Sequence, residues 1–142
     1  MRAFLLAGLL VSLVSGAAIA QSDPIAQRKA AMKQIGDQTG IGAAMLKGEA
    51  PFDAAKAALI FKTFAENGAA FGTLFPAGSD KGDTKAAPAI WSDRAGFDAE
   101  LAKFNAAVAQ NAAGASTADG FKTGFTAVAA TCRTCHSTYR LR

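Results

Sequence analysis

Both cysteines and the single histidine of this chain fall within five consecutive residues, Cys132-Arg133-Thr134-Cys135-His136. This C-x-x-C-H run is the signature of covalent c-type haem attachment. The two thiols can add across the two vinyl groups of a haem and form thioethers. On a helix this spacing puts both sulfurs on one face, one turn apart. His136 then offers an imidazole nitrogen as the proximal iron ligand. Its other ring nitrogen is expected to donate to a carbonyl or water, which fixes the tautomer. Two other chemistries use such residues. A thioredoxin-like redox pair normally opens a helix after a strand, and no strand precedes this run. A structural zinc site wants four Cys/His ligands, and the chain has three. Nothing else supplies a catalytic base, a nucleophile or a substrate pocket, and there is no second histidine for distal acid–base work. The expectation is a protein that is not an enzyme, carrying one covalent haem c that supplies the chemistry.

Residues 1–20 read as a leader. Arg2 gives the positive start, Phe4 to Val14 the apolar stretch, and Ala18-Ile19-Ala20 the small-residue cleavage rule. Cleavage after Ala20 would leave a chain starting at Gln21, exported to the periplasm. The apolar stretch is too short for a membrane span, and no later one qualifies. Residues 21–142 suffice for one domain with one core. The formal charge of +4 falls by one when Arg2 is removed, and two haem propionates would lower it further. The basic residues are scattered along the sequence, so no nucleic-acid partner is expected.

Alanine is abundant, proline is rare and β-branched runs are absent, which points to helices. Four segments show helical spacing. The first opens with Asp23 as N-cap and Pro24 at the first helical position. It carries Ile25, Met32, Ile35, Ile41 and Met45 and ends near Lys47-Gly48. The second starts near Asp53, ends before Pro76, and presents Ile60, Phe61, Phe64, Phe71, Leu74 and Phe75. A polar connection over 76–88 follows. The third covers roughly 89–112, with Ile90, Phe97, Leu101, Phe104 and Val108. Ser116 or Thr117 caps the fourth, which carries Phe121, Phe125, Val128, Cys132, Cys135, His136 and Tyr139 along one row. The attachment residues thus continue a core-facing row, so the haem is expected inside the helical packing. The predicted architecture is all-α, an antiparallel up-down four-helix bundle.

At this point the chain resembles the class II c-type cytochromes, the cytochrome c′ and cytochrome c-556 group. The resemblance is carried by Cys132 to Arg140, by the segment Phe75-Pro76 through Lys81-Gly82-Asp83-Thr84-Lys85 to Ile90-Trp91, and by Arg28-Lys29-Ala30-Ala31-Met32-Lys33. It spans nearly all of residues 21–142. It implies that Cys132 and Cys135 hold the haem and that His136 is the proximal ligand. It also implies that Arg28 contacts a haem propionate, a charge-assisted bond to a carboxylate. Thr84 and Trp91 match the segment that closes over the haem edge. Arg140 matches a basic residue near the proximal face, where it either tunes the imidazole or favours the helix C-terminus as a cation. Met32 occupies the distal position. Its sulfur either ligates the iron or packs over an open sixth site. The first outcome gives a periplasmic one-electron carrier serving an unidentified redox partner. The second gives a five-coordinate haem that binds a small gas such as NO or CO. The electron carrier is the leading expectation and the gas-binding protein the alternative. A homodimer is implied by the resemblance alone.

Overall fold

The computed structural model describes residues 23–142, so the leader reading of residues 1–20 lies outside the described residues. Helix α1 spans Pro24–Lys47. Asp23 caps it, its carboxylate accepting from the Ile25 N–H at 2.9 Å. Proline at the first position costs nothing there, because its missing N–H had no helical partner. Gly48 stops the helix at φ +74°, a left-handed turn that glycine adopts without a Cβ clash. Helix α2 spans Ala54–Phe71, with Asp53 accepting from the Ala55 and Lys56 N–H groups. Its last turn tightens into a 3-10 helix over Gly72–Leu74. The predicted third helix is instead two. Helix α3 is the short Ala89–Ser92, and helix α4 spans Arg94–Asn111. Asp93 divides them. Its backbone leaves the helical region (φ −127°, ψ 61°) and its carboxylate caps α4 at the Gly96 N–H. A short acidic side chain that bonds nearby backbone competes with helix continuation. After a 3-10 turn at Ala113–Ser116, helix α5 runs over Ala118–Tyr139, capped by Thr117.

The four long helices, α1, α2, α4 and α5, form the antiparallel up-down bundle. Helix α1 packs on α2, α2 on α4, and α4 on α5. Two apolar clusters fill it. One is built from Ile60, Phe61, Phe64, Phe104, Val108, Phe121, Phe125 and Val128. The other gathers Phe71, Phe75, Ile90, Phe97 and Tyr139 toward the opposite end. Met32 and Leu101 pack against both. The buried row of α1 differs from the expected stripe. Ile41 is 40 % exposed, whereas Arg28 is buried.

Glycine permits a close helix approach at one end of the bundle. A Cβ on Gly42 of α1 would stand 2.2 Å from the Phe125 ring of α5, so these helices touch there as only glycine permits. Gly36 and Gly40 have open space instead. Toward Met32 and Cys132 the α1–α5 seam holds a cleft. Gly42→Ala should therefore push the Phe125 ring out of its packing and cost about 2 kcal/mol, while Gly36→Ala should leave stability unchanged or raise it slightly. Thermal melts of the two variants check the contrast.

The connection over 76–88 is anchored rather than loose. Ser79 is buried, and the Trp91 indole N–H donates to the Pro76 carbonyl at 3.1 Å. An isolated antiparallel bridge joins Ala86 to Arg140. The Ala87 N–H donates to the Tyr139 carbonyl and the Leu141 N–H to the Lys85 carbonyl. The end of α5 is thereby tied to the connection.

Candidate haem-binding cleft

Cys132, Cys135 and His136 share a face of the last turns of α5, because α-helical spacing brings residues three and four apart together. They form one wall of a cleft whose enclosed volume is about 50 Å³. Met32 and Ile35 of α1, Gly68 and Phe71 of α2, and Phe97, Leu101 and Phe104 of α4 complete most of it. The cleft is almost wholly apolar. Both cysteines are partly buried and neither is in a disulfide. Burial pushes the Cys132 thiol up. It pushes Cys135 further, to about 11, with the charges of Glu100 and Cys132 adding to the rise. These thiols stay neutral and side by side at an apolar wall. That donor set fits a flat, hydrophobic group attached through carbon. Among the described residues no group of three His, Cys, Asp or Glu side chains is arranged to hold a metal ion, which removes the zinc reading. His136 is the most solvent-facing member of the wall. Partial burial lowers its pKa, and the nearby charge of Arg140 lowers it further.

The structure thus brings Met32, Cys132, Cys135 and His136 together. It places Arg28, Thr84 and Trp91 elsewhere, in a cluster beside the cleft that clamps the 76–88 connection. Arg28 is 4 % exposed. Its Nη1 donates to the Leu74 carbonyl and to the Ser79 hydroxyl, at 3.3 and 3.1 Å. Its Nη2 donates to the Ser79 carbonyl and to the Thr84 hydroxyl, at 2.7 and 2.8 Å. All four terminal N–H groups are therefore engaged within the chain. The guanidinium also lies 4.9 Å from the Phe75 ring centre and 5.6 Å from that of Trp91. Burial lowers its pKa, against an opposing effect of Asp23. Trp91 meets the cleft only indirectly, since it and Cys135 pack against the same apolar cluster. Arg140 ends α5 and acts on the cleft through its charge on His136.

Two polar roles escaped the sequence reading. Tyr139 donates from its hydroxyl to the Asp93 carboxylate at 2.9 Å, which holds the end of α5 against the start of α4. Glu100 lines the cleft beside the cysteines. A signal for it was present: it sits three residues after Phe97 and four before Phe104, on the buried row of α4 where a charge is out of place.

Comparison with known proteins agrees with this geometry. The family model described as Cytochrome C′ matches residues 23–140. A cytochrome c′ from Rhodopseudomonas palustris is 42% identical over 143 residues, covering 100% of this chain and 97% of its own length. A cytochrome c-556 from Agrobacterium fabrum is 38% identical, covering 96% and 93%. Among solved structures, the cytochrome c′ of Rhodopseudomonas palustris superposes with a TM-score of 0.81 at 41% identity, covering 86% of this chain and 98% of that one. A nitric oxide complex of a variant cytochrome c prime from Alcaligenes xylosoxidans superposes at 0.75 and 28% identity, covering 84% and 94%. An apolar cleft with two neutral thiols and an imidazole on one wall, a matching family model and relatives alike from end to end lead to one identity: the chain belongs to the cytochrome c′ family, whose members carry a single covalently attached haem c.

Proposed function

We propose that this protein binds a diatomic gas, NO or CO, at the open sixth position of its haem iron. The observation that supports it is the cleft wall opposite His136. Met32, Ile35, Phe71, Leu101 and Phe104 offer small ligands an apolar space. The chain's single histidine is on the other wall, so no imidazole competes for that position or serves as an acid–base group. The nitric oxide complex of the Alcaligenes relative points the same way. In this reading Cys132 and Cys135 fasten the haem, which supplies an iron able to take up the gas. His136 holds that iron from the proximal side. Met32 packs over the distal side without ligating. The leader reading of residues 1–20 puts the protein in the periplasm. Among the described residues no helix is long and apolar enough to cross a membrane.

A second reading has its own support. Met32 lines the cleft, and some relatives are named cytochrome c-556. Ligation by Met32 would give a six-coordinate one-electron carrier with a raised potential. Carbon monoxide separates the two. Added to the reduced holoprotein, it should shift the Soret band within mixing time at sub-millimolar concentration, and Met32→Ala should change the potential only slightly. A reduced protein indifferent to CO, together with a large downward shift of potential in Met32→Ala, would establish the electron carrier instead.

A further inference from the structure

Glu100 is hard to explain as a surface residue. Its side chain is only 16 % exposed, and it reaches into the cleft from α4. One carboxylate oxygen pairs with the exposed ammonium of Lys103, one turn further along the same helix. The other, Oε2, is fully buried. Among the described residues it is the one buried side-chain nitrogen or oxygen with no hydrogen-bond partner. Burying a carboxylate oxygen without a partner is costly. Native proteins rarely retain such a group unless it does something.

Its surroundings show where its charge acts. Phe97, Leu101 and Phe104 of its own helix line the cleft around it, and Cys132, Cys135 and His136 face it from α5. The charge contributes to the rise of both the Cys135 thiol and the Tyr139 phenol. Lys103 on α4 and Arg140 at the end of α5 are exposed cations, and Arg28, buried beside the cleft, has its guanidinium engaged by Leu74, Ser79 and Thr84. Water screens an exposed cation, whereas a charge closed into an apolar cleft acts at low local dielectric. Of these charged groups, only the Glu100 carboxylate lines the cleft itself.

We propose that Glu100 is a potential-setting residue: its carboxylate, closed into the cleft it shares with Cys135 and His136, favours ferric over ferrous iron in the holoprotein. The inference rests on haem occupying this cleft and holds whether or not Met32 ligates. Fixed negative charge stabilises the oxidised, more positive state of a metal centre, and burial is one of the levers by which a protein sets a haem potential. Because CO binds ferrous iron, Glu100 would also set how reducing the surroundings must be before that gas is taken up.

The test is spectroelectrochemical titration of holoprotein at neutral pH, on the wild type, Glu100→Gln, Glu100→Asp and Lys103→Gln. Glutamine keeps the shape and removes the charge. It should lower the ferric-to-ferrous ratio at a fixed applied potential about tenfold, an upward move of about 59 mV for a one-electron couple. Aspartate should stay near the wild type, and Lys103→Gln should move the potential little. If Glu100→Gln fails to accumulate, Glu100→Leu carries the same test, since it buries no polar head. A Glu100→Gln potential within twofold of the wild-type ratio would overturn the proposal. So would an aspartate variant that shifts as far as glutamine, because shape and not charge would then be responsible. The CO response of the same wild-type sample reports on the gas-binding reading separately.

Discussion

Converting Cys132 and Cys135 together to serine is expected to give a protein whose intact mass is that of the bare polypeptide. A hydroxyl does not add to a vinyl group as a thiol does, so both thioethers are lost while His136 keeps its place on the wall. Haem should then be held only by the imidazole and the apolar walls. A native sample would still show a weakened Soret band, and a denaturing gel stained for haem would be blank. The single variants should each keep one thioether and stain. Stability should fall as well, because the cleft is walled by Phe71, Phe97, Leu101 and Phe104, which the haem covers. A loss of about 3 kcal/mol or more is expected, comparable to a large core truncation. Denaturant melts measure the stability and mass spectrometry the attachment. An adduct mass persisting in the double variant would mean that another residue holds the haem.

The second large effect belongs to Arg28. Arg28→Met should cost about 3–5 kcal/mol, since it takes this donor from the Leu74 and Ser79 carbonyls and one of the partners from each of the Ser79 and Thr84 hydroxyls. The stacking on Phe75 and Trp91 is lost with it. For a domain of this size the melting temperature should fall by about 10–20 °C. Arg28→Lys should recover less than half of the loss, because a single ammonium cannot span four acceptors arranged for a planar fork. The damage should be local before it is global. Trypsin should reach Lys81 and Lys85 sooner in the variant than in the parent. A melt within about 1 kcal/mol of the parent would show that the clamp is dispensable.

Much of this molecule is legible from residue order because its determinants are local. Asp23, Asp53 and Thr117 cap helices as their side chains dictate, and the spacing of Phe121, Phe125 and Val128 continues to the haem motif. The cleft needed only that one wall to be recognised. What stayed hidden depends on distance along the chain. Arg28 reads as a cation for a haem propionate, and nothing in residue order shows that residues 46 to 56 positions away close over it. Asp93 lies within a stretch of helical spacing, and Tyr139, which bonds its carboxylate, is 46 residues further on. Gly42 looks like its neighbours Gly36 and Gly40. Only the Phe125 ring distinguishes it.

The buried sulfurs carry a consequence for biogenesis. A thiol held near 11 is almost never a thiolate at neutral pH, and the thiolate is the reactive nucleophile. Once α5 has docked on α4, Cys135 is a sluggish partner for any vinyl group. Thioether formation is therefore favoured while α5 is still unfurled. Folding then seals a finished bond, and a chain that collapses first has lost its best chance of becoming red.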